Sequence, residues 1–205
     1  MYPAKPGLLF GFHGCDRAVR DSIVNQQSML KSSDKDYNWL GTGMYFWEND
    51  PERALHFAQE LHHRPQKGKD PIDDPAVLGA VIDLGLCLDL LEKKYIELVR
   101  QSRGNLEKIY ELLGLDLPKN QGVGGSIDLL IRKLDNAVIE NLHSLQKKNK
   151  QRPFDSVRGF FTEGAILYPT AGFYEKSHIQ LCIRNPNCIK GFFIPREEDT
   201  KWIVP

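Results

Sequence analysis

The ten residues Trp39-Leu40-Gly41-Thr42-Gly43-Met44-Tyr45-Phe46-Trp47-Glu48, WLGTGMYFWE, crowd four aromatics and two glycines together. The Met-Tyr-Phe-Trp run suits a pleated, half-buried surface, so the whole stretch reads as a strand. Alternation then sends neighbouring side chains to opposite faces, with Phe46 pointing into the core when Tyr45 points into a cleft. Directly after it, NDPERALHFAQELHH (49–63) turns helical. Asn49 or Asp50 can cap this helix and Pro51 suits its first turn, while Ala54, Leu55, Phe57, Ala58 and Leu61 form an apolar face.

Working outward, GLLFGFHG (7–14) reads as a strand, DRAVRDSIVNQQSMLK (16–31) as a helix and SSDKDYN (32–38) as a polar turn. Downstream, RPQKGKDPIDDP (64–75) is a surface loop, and AVLGAVIDLGLCLDL (76–90) is a buried strand followed by a turn. From 91 to 150 apolar residues recur every three or four positions on both sides of DLPKNQGVGG, which marks an inserted helical block. Strands resume at SVRGFFTEG (156–164) and SHIQLCIRNPNCIKGFFIPR (177–196). Strands at both ends with helices between them predict an α+β fold, a single domain over 1–205 with a helical insertion at about 91–150.

Composition narrows the function classes. The chain has 205 residues, enough for a sizeable core, and 27 basic residues balance 27 acidic ones, so global charge does not mark a nucleic-acid binder. No apolar run approaches the roughly 20 residues of a membrane span. Cys15, Cys87, Cys182 and Cys188 form no CxxC pair, and MYPAKPGLLFGFHG lacks the layout of a secretory signal, which together predict a cytoplasmic protein with reduced thiols. His62-His63 has no Cys or carboxylate partner at zinc spacing, so no metal is expected. Gly41-Thr42-Gly43 is neither a P-loop nor a dinucleotide fingerprint, and GVGG (122–125) reads as a flexible connection.

Taken in order, FHG (12–14), GTGMYFW (41–47) with ERALHFA (52–58), and SHIQLCIRNPNCIKGFFIP (177–195) resemble the signature segments of diphtheria-toxin-like ADP-ribosyltransferases, whose fold is shared with poly(ADP-ribose) polymerase catalytic domains. The resemblance covers most of the chain except 91–150. It implies a split antiparallel β-sheet core, NAD as co-substrate, and cleavage of the nicotinamide–ribose bond through a transition state with positive charge on the ribose. Positioning and electrostatics matter most in such a reaction.

The resemblance also implies roles. Gly14 would hold the nicotinamide carboxamide through its backbone, His13 would bind the adenosine ribose, and Tyr45 would stack on the nicotinamide ring. Gly41 and Gly43 would let the chain pass close beneath the ligand. Tyr37 is a candidate second wall, with Trp39 as its competitor, and Ser32 and Ser33 lie nearby. Gln180 stands where the best-known relatives have glutamate; it can still accept a hydrogen bond through its amide oxygen but brings no charge. Glu163, or less favourably Glu48, would supply the missing carboxylate, and Arg158 would meet the NAD pyrophosphate.

These expectations describe a mono-ADP-ribosyltransferase acting on a protein or nucleic-acid acceptor, of the kind used as a bacterial toxin or in phage defence. The basic end of the helical block, HSLQKKNKQR (143–152), is a candidate surface for a substrate, an antitoxin or a regulatory protein. A non-catalytic NAD or ADP-ribose binding module is the alternative, and an RNA 2′-phosphotransferase, which resembles the chain at His-Gly alone, is weaker.

Overall fold

The computed structural model describes residues 7–65, 71–122 and 129–203. The GVGG segment therefore lies outside the described residues from Val123 onward, as do residues 66–70 of the loop at 64–75. The elements run β1 (Leu9–Asp16), α1 (Arg17–Val24), β2 (Met44–Glu48), α2 (Pro51–His63), β3 (Pro75–Ile82), β4 (Cys87–Asp89), α3 (Lys93–Leu113), β5 (Asn120–Gln121), β6 (Ile131–Arg132), α4 (Lys133–Lys148), β7 (Ser156–Phe161), β8 (His178–Ile183) and β9 (Ile189–Phe193). Seven strands form one sheet in the order β4-β7-β8-β2-β1-β3-β9, in which β4 and β7 are parallel and all other neighbours antiparallel. β5 and β6 form a separate two-stranded ribbon, and the fold is α+β.

The sheet is a single hydrogen-bonded unit that forks in its middle, rather than two sheets. Between β1 and β2 the register covers Gly11↔Glu48 and Phe12↔Trp47 and then stops, while β1 stays paired with β3 from Leu9↔Ile82 through Asp16↔Pro75.

Two layers cover the sheet. On one face α3 and α4 bury Tyr95, Ile139 and Leu142 against Leu88, Val157 and Cys182, and α2 buries Ala54 against Phe12 and Trp47. On the other face Phe46, Leu181, Ile183, Ala80 and Ile82 form a second cluster, and α1 buries Ile23 against Cys15 and Leu78. Phe46 and Leu40 are fully buried, and at ~1.5–3 kcal/mol per fully buried large apolar side chain these clusters supply the main drive to fold.

Two local departures from the sequence reading have clear causes. The helix expected over 16–31 ends at Val24, where Asn25 caps it and Gln26 takes φ +59°. The following Asn-Gln-Gln-Ser run offers the sheet no apolar side chain, whereas leaving the helix brings Leu30 onto the clusters around Phe46 and Cys15. The strand expected across WLGTGMYFWE begins only at Met44. Before it the chain turns, Gly41 at φ +85° donating its N–H to the Asn38 carbonyl, a conformation that favours glycine.

Candidate functional site

The fork gathers the first group of expected residues. His13 Nδ1 lies 2.8 Å from the Tyr45 carbonyl; a carbonyl only accepts, so Nδ1 carries the proton and donates. In the neutral ring this makes Nε2 the acceptor nitrogen. Continuing the β1–β2 register would pair Gly14 with Tyr45, and the imidazole takes the Tyr45 carbonyl at that step.

Strand alternation sets where the Gly14 backbone points. The Phe10 carbonyl accepts from Asn49 N–H across the β1–β2 edge at 2.9 Å. In an antiparallel strand every second residue presents its N–H and C=O to the same edge, so Gly14 presents both to the open side of the fork. Its missing side chain has a second cause, because a Cβ there would sit 2.1 Å from the Ala54 carbonyl of α2. The glycine is thus needed for α2 to cross β1, whatever its backbone binds.

Tyr45 pairs with Cys182, and Trp47 pairs with Gln180. All four side chains share one face with Gly14, and Tyr45 and Gln180 are diagonal neighbours, roughly 7–8 Å apart in such a ladder. The Tyr45 hydroxyl donates to the Gly41 carbonyl at 2.6 Å. Burial, reinforced by Cys182, pushes its pKa above the ordinary phenol value, so it stays a neutral ring. His13 alternates to the other face, where its ring meets Phe46 edge-on with centroids 6.0 Å apart.

Gln180 is half-buried, and its Oε1 accepts from Trp39 Nε1 at 2.5 Å. The oxygen expected to receive a ligand hydroxyl is therefore engaged by an indole. Trp39 is the aromatic of the preceding loop that reaches Gln180: its ring lies 5.1 Å from Phe161, and a Cβ at Gly159 would touch it at 2.5 Å. Tyr37 stays in the turn behind, its carbonyl accepting from Arg132 N–H at 3.3 Å. Ser33 bridges Gly43 through both backbone groups. Gly43 has a structural reason of its own to lack a side chain, since a Cβ there would meet Cys182 Sγ at 2.5 Å and the Ile183 carbonyl at 2.8 Å on β8.

The helical insertion shapes this loop directly. Glu140 on α4 accepts from Thr42 N–H at 2.6 Å, Asn136 donates to the Asn38 carbonyl at 2.8 Å, and Lys133 pairs with Asp36 at 2.7 Å. Arg132 lies over both Trp39 and Phe161, 5.5 and 4.4 Å from their ring centres, a cation–π arrangement. Sequence periodicity marks α4 as a helix but carries no signal of these contacts.

Three charged residues are placed differently from expectation. Arg158 is buried on the opposite face, its guanidinium forked onto Glu48 at 2.5 and 2.9 Å and bonded to Asp89 at 3.2 Å. Its donors meet carboxylates rather than a pyrophosphate, and Glu48 is likewise spent as a free charge. Glu163 sits on the Arg53 guanidinium at 2.8 Å with Lys176 3.9 Å away, so its charge is matched within the fold. These pairs pin both ends of the 162–177 segment to α2, where Lys176 also meets Glu60 at 2.6 Å. In this corner Arg53 Nε and Nη1 and Trp47 Nε1 are buried without a hydrogen-bond acceptor.

A shallow concavity of about 490 Å³ lies elsewhere, lined by Asp16, Arg17, Asp73 and Asp74 at the start of α1. Its groups already satisfy one another, Arg17 pairing with Asp74 at 2.5 Å and Asp16 accepting from Asp73 and Asp74 N–H. Among the described residues no group of three or more His, Cys, Asp or Glu side chains is placed to hold a metal, and no helix is long and apolar enough to cross a membrane.

Comparison with known proteins adds one relative. A Methanocaldococcus jannaschii protein called Uncharacterized protein MJ0359 is 23% identical over 197 residues, 87% of this chain and 83% of that protein. No protein-family profile and no solved structure matches.

Proposed function

We propose that the chain binds NAD at the fork and acts as a mono-ADP-ribosyltransferase. The observation that carries this reading is the adjacency of β1, β2 and β8, which bear His13-Gly14, Tyr45 and Gln180, around a sheet that opens where Gly14 turns its backbone outward. A backbone donor and acceptor side by side match a carboxamide, and the adjoining Tyr45 suits a flat heteroaromatic ring. His13, bonded to the Tyr45 carbonyl beside the fork, is the residue that would meet a ribose hydroxyl. The acceptor of ADP-ribose would be a protein side chain or a nucleic acid.

One observation favours a second reading, a module that binds NAD or ADP-ribose without turnover. The carboxylates Glu48 and Glu163 are both matched by arginines, and the Gln180 oxygen is held by Trp39, so the charge that would stabilise a ribosyl cation is not supplied by these side chains. Incubation with NAD labelled in both the nicotinamide and the adenine moieties separates the two. Nicotinamide release with label moving to a macromolecule, and its loss in Tyr45→Ala with a preserved fold, supports the transferase. Saturable retention of intact NAD supports the module, and neither result in the wild-type chain refutes both.

A further inference from the structure

We infer that Trp39 is a positioning residue that fixes Gln180 as a hydrogen-bond donor toward the bound nucleotide, an inference that rests on the NAD reading of the fork. An indole N–H only donates, so the Gln180 atom 2.5 Å from it is the amide oxygen, and the amide nitrogen is the end turned away. Gln180 therefore meets a ligand with N–H groups, which require an acceptor such as a ribose oxygen. A glutamate at 180 would also accept from Trp39 through one oxygen and present the other as an acceptor. Trp39 thus sets the polarity of this contact, and the same indole would serve opposite polarities with Gln and with Glu.

Trp39 is itself held from three sides. Phe161 and Gly159 pack against its ring, Arg132 covers it, and α4 grips the flanking backbone through Asn136 to the Asn38 carbonyl and Glu140 to Thr42 N–H. Rotation of the amide requires loss of the indole bond, and movement of the indole requires release of the loop from α4. The helical insertion is thereby tied to the one ligand-facing group on β8 that departs from the family pattern.

Two measurements test this. In ¹⁵N–¹H spectra of the apoprotein the chain has three tryptophan indole signals, from Trp39, Trp47 and Trp202, and that of Trp39 is assigned by its absence in Trp39→Phe. Gln180→Ala is expected to shift that signal, and in Gln180→Glu it is expected to move with pH as the new carboxylate titrates; an unmoved signal in both overturns the pairing. The second measurement compares Kd for NAD with Kd for NAD carrying a methoxy group in place of the nicotinamide-ribose 2′-hydroxyl, which keeps the acceptor oxygen but cannot donate. Wild type, needing only an acceptor, is expected to lose less than about 3-fold, whereas Gln180→Glu, needing a donor, is expected to lose about 10-fold or more. Trp39→Phe, with the amide free to turn, is expected to fall between them. Equal losses in wild type and Gln180→Glu overturn the donor assignment with the NAD reading intact. If neither nucleotide binds the wild type, the NAD reading and the ligand contact fall together, and the indole signal alone decides the pairing.

Discussion

Replacing Arg158 by methionine distinguishes an architectural arginine from one that holds a ligand. Methionine keeps most of the apolar stem and removes the guanidinium that, from β7, joins Asp89 on the neighbouring β4 to Glu48 on β2, beyond β8. Arg158 is 7% exposed and Asp89 1%, so water cannot readily take over. Removing one member of a buried ion pair while its partners stay charged costs about 3–5 kcal/mol. For a domain of this size 1 kcal/mol moves Tm by about 2–4 °C, so the variant is expected to melt about 6–20 °C below wild type. Circular dichroism melting with urea unfolding at pH 7 reads this directly. Arg158→Met with Asp89→Asn is expected to recover part of the loss, because one uncompensated charge is then gone. A wild-type Tm in Arg158→Met, accompanied by weakened NAD binding, would refute the reasoning and return Arg158 to the ligand.

His143, on α4 with its ring 6.1 Å from Phe154, is held down to a pKa of about 4 by burial, with Arg184 adding to the effect, while Glu140 and Gln146 oppose it. The unfolded chain takes up this proton near pH 6.5 and the folded chain does not, so the stabilisation is complete above about 6.5 and fades as pH falls toward 4, by about 3 kcal/mol in all. Urea midpoints between pH 7 and 4.5 should show that slope in wild type and a shallower one in His143→Leu. Gly14→Ala keeps both backbone groups but drives a Cβ to 2.1 Å from the Ala54 carbonyl, so a loss of about 1–3 kcal/mol or more is expected in equilibrium unfolding. Glu140→Ala leaves Thr42 N–H without its acceptor; a cost of about 1–3 kcal/mol and faster exchange of the Thr42 amide are expected, and protection as in wild type would speak against α4 as the anchor of that loop.

What the sequence made legible is what neighbouring residues decide among themselves. Asp50 accepts from Arg53 N–H, Pro51 opens α2, and Ala54, Ala58 and Leu61 face inward, as the local chemistry of NDPERALHFAQELHH requires. The alternation of Tyr45 and Phe46 was equally readable, and Phe46 is fully buried. Partners far along the chain were not. Arg158 answers Glu48 across 110 positions, and Trp39 answers Gln180 across 141, so no local pattern could separate a ligand-facing side chain from one engaged by the fold. The glycines show the same limit: Gly14 and Gly43 were read as room for a ligand, but the backbone of α2 and the residues of β8 also claim that room.

A sheet normally shields its centre and frays at its rims. Here the join between the four strands ending in β2 and the three beginning with β1 rests on two residue pairs and the Asn49 N–H to Phe10 carbonyl bond next to them, so the middle of this sheet is expected to exchange its amides sooner than the eight-pair β1–β3 ladder beside it. The two groups of strands then behave as leaves about a hinge at Gly11 and Phe12. A molecule that touches both acts as a clasp, and its binding free energy, RT ln(1 + [L]/Kd), should appear as slowed exchange concentrated along that one line.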